Sequence, residues 1–313
     1  MALTPRWVGL VYLAGAAALF GGMYVVSHWA LTQVPLLALM WLRYATALGL
    51  LGAYGLATHR QFTLTRAQFG LAASIGVVGL GLAGACQFWG TALTDAGWAS
   101  VATAAAPAFM VVLARGISPE SLPRLGLGLG CAGVGLAVLV LWAPGASAFR
   151  WGLVVLLAGA AAWALASVWA THIPSRNRVF GITWGALGVT TLLLAPVAAV
   201  TWHPNDTTWS WGLVWAVLYL GGASTAAALV LWHRGVMLAG SAAGATTFFA
   251  QPLVGLALGR WFLGEAPSMA LLLGAGLLFL AAWWLTRPPA IAEGAAEALK
   301  PHCAATPRQG GRS

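Results

Sequence analysis

Charge is what this sequence has least of. Only 7% of the 313 residues are charged, and the six acidic side chains leave the stretch from Met1 to Thr94 without a carboxylate. Soluble domains usually carry about 25% charged residues. Hydrophobic residues make up 60% of the chain, and the mean hydropathy is +0.85. Such a chain lacks the polar surface that water requires, so we predict an integral membrane protein.

Other scarcities exclude whole classes of function. Three cysteines are too few for a disulfide framework, and Cys86 and Cys131 lie in apolar segments, where we expect packing thiols. The chain has no Walker A, GxSxG or HExxH motif and no Cys/His cluster, so we predict no enzyme, no cofactor and no metal site. The net charge is +9, but its basic residues are single or paired, which argues against a nucleic-acid partner.

Apolar runs of about 20 residues, the length that crosses a bilayer as a helix, recur along the chain. None reads as the short alternating segment that a membrane β-strand would give. We therefore predict an all-α membrane protein with ten transmembrane helices. The predicted spans are 7–31, 36–58, 67–90, 95–114, 122–142, 149–172, 179–200, 209–233, 240–263 and 267–286.

The basic residues set the predicted orientation. With a cytoplasmic N-terminus, twelve of the fifteen Lys and Arg residues fall on the cytoplasmic side, Arg150 and Arg260 fall outside, and Arg43 lies within a span. This asymmetry follows the positive-inside rule. We predict a multi-pass inner-membrane protein with both termini in the cytoplasm. Residues 287–313 are small, polar and rich in Pro and Gly, which predicts a disordered cytoplasmic tail.

The two halves of the chain resemble each other. Two prolines and two glutamates keep the same spacing of 145 residues: Pro107 with Pro252, and Glu120 with Glu265. A Gly-rich apolar segment follows each glutamate. Because five spans per copy is an odd number, the second copy must enter the membrane upside down. We predict two inverted five-helix repeats, residues 1–142 and 143–286.

These segments resemble the EamA family of the drug/metabolite transporter superfamily. The resemblance rests on "WLRYATALG" around Arg43 and on "ALTDAGWASVATAAAPAFMVVLARGISPES", and it covers residues 7–286. It implies a secondary transporter, commonly an exporter of amino acids, metabolites or drugs. Small four-helix relatives couple transport to protons through a glutamate in the first helix. The first span here has no carboxylate, so that coupling does not carry over.

Polar and aromatic side chains at helical spacing mark the candidate substrate-binding residues. Polar groups in lipid need partners, so these side chains should face the bundle interior and either line a cavity or pack helices together. The candidates are Tyr24, Ser27, His28, Arg43, Gln87, Thr91, Thr103, Trp163, Ser167, Thr225, Trp232, Thr247 and Gln251.

Several candidates have two interpretations. Arg43 lies about seven residues into its span, or roughly 10 Å of helix rise, so it either snorkels to the outer interface or binds carbonyls or a substrate carboxylate inside the bundle. Pro107 and Pro252 are hinges or static kinks. His28 either couples transport to protons, because a histidine can titrate near neutral pH, or has no role in transport. Trp163 would provide an aromatic wall for the substrate.

The expected function is alternating-access transport, most simply export of small organic solutes such as amino acids. Multidrug efflux is the alternative, and a membrane scaffold or membrane enzyme is more remote. The expected partners are a small-molecule substrate and the lipid bilayer. The Gly-rich fifth and tenth spans leave open a homodimer or internal helix packing.

Overall fold

The computed structural model describes residues 5–113, 122–144, 147–239, 247 and 250–286. Within these ranges the chain is built from helices joined by short connections. In the first half these are α1 (Pro5–Ala30), α2 (Leu36–Ala57), α3 (Arg66–Ser74), the π-helical segment π1 (Ile75–Leu82), α4 (Ala83–Leu93), α5 (Ala96–Thr103), α6 (Ala106–Leu113) and α7 (Leu122–Leu141). The second half contains α8 (Ser147–Ala170), α9 (Arg176–Thr201), a short 3-10 turn (Pro204–Asp206), α10 (Trp211–Leu218), π2 (Tyr219–Ala227), α11 (Ala228–Ala239), α12 (Ala250–Phe262) and α13 (Met269–Thr286).

Seven helical stretches are long and apolar enough to cross a bilayer, and they match predicted spans one to four and six to eight. They are Arg6–Ala30, Leu36–Ala57, Arg66–Leu93, Ala96–Leu113, Ser147–Ala170, Arg178–Thr201 and Trp211–Trp232. Gly126–Leu141 and Met269–Leu285, at the fifth and tenth predicted spans, are shorter apolar helices. The ninth predicted span lies partly outside the described residues. The prediction of a multi-pass helical membrane protein is confirmed.

Local sequence explains where helices begin. The Thr65 hydroxyl accepts a hydrogen bond from the Gln68 backbone N–H at 3.3 Å, and the Gln68 side chain accepts one from the Thr65 backbone N–H at 3.1 Å, which forms a capping box at α3. The Ser210 hydroxyl caps α10 by accepting a bond from the Leu213 N–H at 3.1 Å. Such caps satisfy backbone donors that would otherwise have no partner at the helix start.

The outside of the bundle is apolar, as a lipid-facing surface requires. Large side chains such as Trp211 and Trp261 are 82% and 84% exposed. Most buried residues are small, and a few large side chains are buried with them, among them Tyr44, Phe88 and Leu220. Membrane helices pack closely where small residues let their backbones approach.

The two π-helical segments occupy equivalent places in the two halves. Ile75 begins π1 and Tyr219 begins π2, 144 residues later, and each segment interrupts the third long helix of its half. A π-helical turn is rare and frequently marks a functional site. The sequence comparison of the halves did not predict these segments.

The halves interlock through their helices. Helix α1 packs against α11 and α12, α2 packs against π2 and α9, and α5 packs against α12. Helices α7 and α13 pack mainly against each other at the edge of the bundle. A Cβ at Gly135 would lie 3.0 Å from Leu277 Cβ, so this glycine serves internal packing. The homodimer remains a prediction.

Candidate functional site

A cavity of about 120 Å³, measured to the centres of water-sized spheres, lies where the two halves meet. One water needs about 10–15 Å³ on that measure, so the space holds several waters or one small organic molecule. In the first half, residues from α1, α2, π1, α4, α5 and α6 contribute to the wall, and in the second half residues from α8, π2, α11 and α12 do so. Seven predicted candidates line it: Tyr24, Arg43, Gln87, Thr103, Trp163, Thr225 and Gln251.

Arg43 of α2 is the one charged side chain in the described wall of this cavity. It is only 7% exposed. Its Nε donates to Thr225 Oγ1 at 3.0 Å, and its Nη1 donates to Gln87 Oε1 at 3.4 Å. Its guanidinium carbon lies 5.3 Å and 5.4 Å from the ring centroids of Tyr44 and Phe88, within the range of a cation–π contact. Arg43 therefore points into the bundle, and snorkelling to the interface does not describe its position.

The contact between Arg43 and Thr225 depends on how closely two helices approach. A Cβ at Gly221 of π2 would lie only 2.6 Å from the Arg43 carbonyl oxygen, so only glycine lets π2 lie this near α2. The Thr225 hydroxyl donates to the Leu220 carbonyl at 2.7 Å, five residues back, which the π-helical turn allows. Its lone pairs are thereby left to accept from Arg43.

A second polar group on the wall joins the two halves. The Tyr24 hydroxyl of α1 lies 2.6 Å from Thr103 Oγ1 of α5, and Gln251 Nε2 of α12 donates to the Tyr24 hydroxyl at 3.0 Å. All three side chains line the cavity. Gln251 Oε1 is buried and has no hydrogen-bond partner among the residues that the structure describes.

Other predicted candidates lie beside the cavity rather than on its wall. Ser27 Oγ donates to the Tyr24 carbonyl at 3.1 Å, and Thr91 Oγ1 donates to the Gln87 carbonyl at 2.7 Å. His28 Nδ1 lies 2.9 Å from the Thr91 carbonyl oxygen. The Ser27 and Thr91 hydroxyls thus bond within their own helices, and only the His28 side chain joins the first and third long helices.

Three further candidates are also outside the wall. Ser167 Oγ donates to the Trp163 carbonyl at 2.8 Å, in its own helix. Trp232 and Thr247 lie in described positions but do not line the cavity.

The candidate hinges differ in what surrounds them. The helix is broken at Ala104 and Ala105, and α6 starts at Ala106, so that Pro107 is its second residue. The Ala104 and Ala105 N–H groups donate to carbonyls three residues back, at 3.0 and 3.2 Å. A proline at this position cannot donate to the preceding turn, which accounts for the break. Pro252 is buried near the start of α12, and residues 248 and 249 before it lie outside the described ranges.

The structure adds wall residues that the sequence analysis did not single out, chiefly Tyr44, Leu80 and Ser224. The Tyr44 hydroxyl donates to the Leu80 carbonyl of π1 at 2.8 Å. Gly84 makes room for this side chain, because a methyl group there would overlap the Tyr44 hydroxyl. A glycine one turn before Gln87 was the signal in the sequence that another side chain approaches this face.

The described wall of the cavity carries a positive charge and no negative one. The acidic residues within the described ranges are Asp95, Asp206 and Glu265, and none of them lines the cavity. Nor do those ranges contain a group of three or more His, Cys, Asp or Glu side chains that could hold a metal ion. The wall combines one cation, several neutral hydrogen-bonding groups and apolar surface.

Glu265 instead joins the halves beside the cavity. Its carboxylate accepts hydrogen bonds from the Ala96 and Gly97 N–H groups at 2.7 and 2.8 Å, at the start of α5. Gly264, with a φ of 71°, ends α12 and turns the chain, and the Glu265 N–H donates to the Gly259 carbonyl at 3.2 Å. A carboxylate at a helix N-terminus satisfies free donors and interacts favourably with the helix dipole. Glu120, its counterpart in the first half, lies outside the described residues.

A bundle of apolar helices in two similar halves, with a mostly apolar cavity that carries a few polar groups between them, is the architecture of a multi-pass membrane protein, and repeats around such a site are typical of transporters. Comparison with known proteins identifies the family. The EamA-like transporter family matches residues 7–141 and, in a second copy, residues 150–287. The chain belongs to this family of the drug/metabolite transporter superfamily, as the sequence predicted.

One protein is also similar to this chain in sequence, and one solved structure is similar in fold. A permease-like protein of Bacillus subtilis (strain 168), YdzE, is 50% identical over 48 residues, which are 15% of this chain and 62% of YdzE. The match thus spans less than two thirds of that relative. A protein crystal structure has a similar fold, with a TM-score of 0.61 and 20% identity, over 90% of this chain and 97% of that one.

Proposed function

We propose that this chain is a secondary transporter that exports small organic solutes, such as amino acids or related metabolites, by alternating access. The observation that carries the proposal is the pairing of wall positions across the two halves. Four pairs of cavity-lining residues lie 145 positions apart: Gly79 with Ser224, Leu80 with Thr225, Gly84 with Leu229, and Ala106 with Gln251. A site built from equivalent positions of two repeats can open to either side when the halves exchange conformations.

The proposed architecture has ten transmembrane helices in two inverted repeats, residues 1–142 and 143–286. Both termini face the cytoplasm of an inner-membrane protein, and residues 287–313, which lie outside the described ranges, form a cytoplasmic tail. The distribution of Lys and Arg supports this orientation. Cysteine accessibility at positions 59 and 208 in intact cells tests it, because His59 follows α2 and Thr208 precedes α10. The orientation requires labelling by an impermeant reagent at 208 and protection at 59.

Substrate binding is proposed for the seven candidates that line the cavity, with Pro107 as the hinge between α5 and α6. Arg43 and Gln251 provide polar groups at the wall, and Trp163, which is 36% exposed, provides aromatic surface. The absence of carboxylates from the described wall leaves transport without an acidic proton carrier there. We therefore propose facilitated flux or exchange as the driving mechanism.

Flux in proteoliposomes tests the function. The purified full-length protein is reconstituted, vesicles are loaded with a panel of radiolabelled amino acids, organic acids and hydrophobic drugs, and efflux is compared with that from empty vesicles. We expect faster efflux of at least one polar metabolite. Efflux confined to hydrophobic drugs would support the multidrug alternative. No flux across the panel would favour a scaffold or a membrane enzyme.

The direction of transport is tested in cells. Intracellular and external metabolites are compared between cells lacking the protein and cells overproducing it. Export predicts that the substrate accumulates inside cells lacking the protein and rises in the medium on overproduction. The opposite pattern would contradict export while leaving the transport function intact.

A further inference from the structure

Arg43 has more hydrogen-bond donors than the described protein partners use. A guanidinium carries five N–H groups. Two of them have partners, Thr225 Oγ1 at 3.0 Å and Gln87 Oε1 at 3.4 Å, and the second contact is long. The Nη2 amino group has no hydrogen bond to any described residue, and Arg43 lies on the cavity wall.

The positive charge of Arg43 also lacks a counter-charge. Its two hydrogen-bonding partners are neutral, and Tyr44 and Phe88 offer only the faces of aromatic rings. Within the described ranges no carboxylate lines the cavity. A buried cation is stabilised chiefly by a paired anion with good hydrogen-bond geometry. A ligand anion in the cavity would supply what the described protein does not.

Gln251, on the same wall, has a hydrogen-bond acceptor without a donor. Thr103 has one hydroxyl proton, and the carbonyls of Ala99 and Ser100, which can only accept, lie 3.1 Å from its oxygen. We assign the Thr103 proton to them, so Tyr24 donates to Thr103 across 2.6 Å.

The Tyr24 oxygen can then accept the bond from Gln251 Nε2 at 3.0 Å. This sequence of donors fixes the orientation of the Gln251 amide. Its Oε1 is consequently the atom left over, buried and without a described partner. Gln251 is 5% exposed, and an unsatisfied acceptor in such a place is destabilising until a donor reaches it.

We propose, building on the transport function above, that Arg43 binds the carboxylate of the substrate and that Gln251 Oε1 accepts a hydrogen bond from a donor group of the same molecule. The cargo is then a small carboxylate that also carries an N–H or O–H donor. Free cations and neutral amides of the same size are excluded, because they leave the Arg43 charge unpaired.

The test uses matched ligands on the purified full-length protein. Leucine, serine and phenylalanine side chains are each presented as the amino acid, its amide, the amine without a carboxylate, and the acid without an amino group. Binding is read from the ligand-dependent rise in melting temperature and by calorimetry. Flux of the same compounds is measured in proteoliposomes.

The wild-type protein should bind the amino acid of at least one series at least tenfold more tightly than its amide and its amine. Arg43→Gln should lower that affinity roughly 10- to 100-fold, as expected for loss of a charge-assisted pair, and abolish the discrimination. Arg43→Lys keeps the charge but loses the planar guanidinium that can donate two parallel bonds, so its affinity should lie between those of the wild type and Arg43→Gln. Gln251→Met should remove the preference for the amino acid over the acid without an amino group.

Arg178→Gln is the matched control. Arg178 is a half-buried arginine whose Nη1 donates to the Thr63 carbonyl at 3.0 Å, and it does not line the cavity. It should leave ligand selectivity unchanged. Melting temperatures and elution profiles of the ligand-free variants show whether each one folds, and the Arg43→Lys variant keeps the test open if Arg43→Gln does not.

The outcomes separate the two proposals. Equal binding of amides, amines and acids, or flux of other solutes without any carboxylate binding, would overturn the assignment of Arg43 and leave the transport function standing. Carboxylate binding that depends on Arg43 without flux of any compound would support the assignment and contradict the transport function. A protein that neither binds nor transports any member of the panel contradicts both.

Discussion

Glu265 offers the sharpest local test of how the two halves are held together. Its carboxylate receives two backbone N–H bonds, at 2.7 and 2.8 Å, from the start of α5. Hydrogen bonds to a charged group contribute about 1.5–3 kcal/mol each, and a helix dipole adds about 0.3–1 kcal/mol. Because Glu265 is half-buried, water replaces part of this when the carboxylate is removed. We expect Glu265→Ala to cost about 2 kcal/mol of local stability.

The assay is hydrogen–deuterium exchange of the peptide that contains Ala96 and Gly97, in nanodiscs. A loss of 2 kcal/mol in opening free energy corresponds to exchange that is roughly 30-fold faster. Glu265→Gln keeps one acceptor oxygen and should give a change of roughly fivefold. Asp206→Ala is the control, since that carboxylate accepts one 3.3 Å bond from the His203 N–H in another loop. Unchanged exchange at the start of α5 in Glu265→Ala would refute the reasoning.

Two glycine pairs give further predictions. Gly84→Val should displace the Tyr44 hydroxyl and lower stability by about 1–3 kcal/mol in thermal unfolding, whereas Gly49→Val, where no atom lies within 4 Å, should change it by less than about 0.5 kcal/mol. Gly135→Val should likewise destabilise the pairing of α7 with α13, since a Cβ there already lies 3.0 Å from a neighbouring side chain, while Gly130→Val meets open space. Equal melting temperatures within either pair would contradict the packing described for it.

The helices themselves were predictable because lipid leaves the chain few choices. A span must be apolar, about 20 residues long and helical throughout, and each of these properties is visible in sequence. All seven described long spans therefore begin and end within three residues of their predicted boundaries. The helix of the eighth span continues beyond the predicted end as α11, to Ala239. The break before Pro107 was predicted only as a hinge or a kink.

The site was harder to predict because it depends on which way each helix is rotated. Tyr24, Ser27 and His28 share one stripe of α1, yet only Tyr24 reaches the cavity wall. Helical spacing places side chains on a common face but does not say where along that face a cavity begins. Gln87 and Thr91 show the same division one turn apart.

The π-helical turns add a second difficulty. They change the number of residues per turn, so a stripe counted with ordinary helical spacing loses its register there. Leu80 in π1 and Ser224 in π2 line the cavity, and neither stood out in sequence for this reason. Thr225, by contrast, was predicted because it is polar and lies seven residues before Trp232, on the same helical stripe.

The partners of Arg43 also impose an order on biosynthesis. Gln87 follows Arg43 by 44 residues, and Thr225 follows it by 182. At about 5–20 residues per second, Thr225 is made roughly 10–40 s after Arg43, and Gln87 only a few seconds after it. A nascent first half must therefore hold a guanidinium in the bilayer with Gln87 and the nearby aromatic rings alone. The bond from Arg43 Nε to Thr225 forms only after the second half has been made, so the unfinished first half carries this charge with fewer hydrogen bonds than the complete protein.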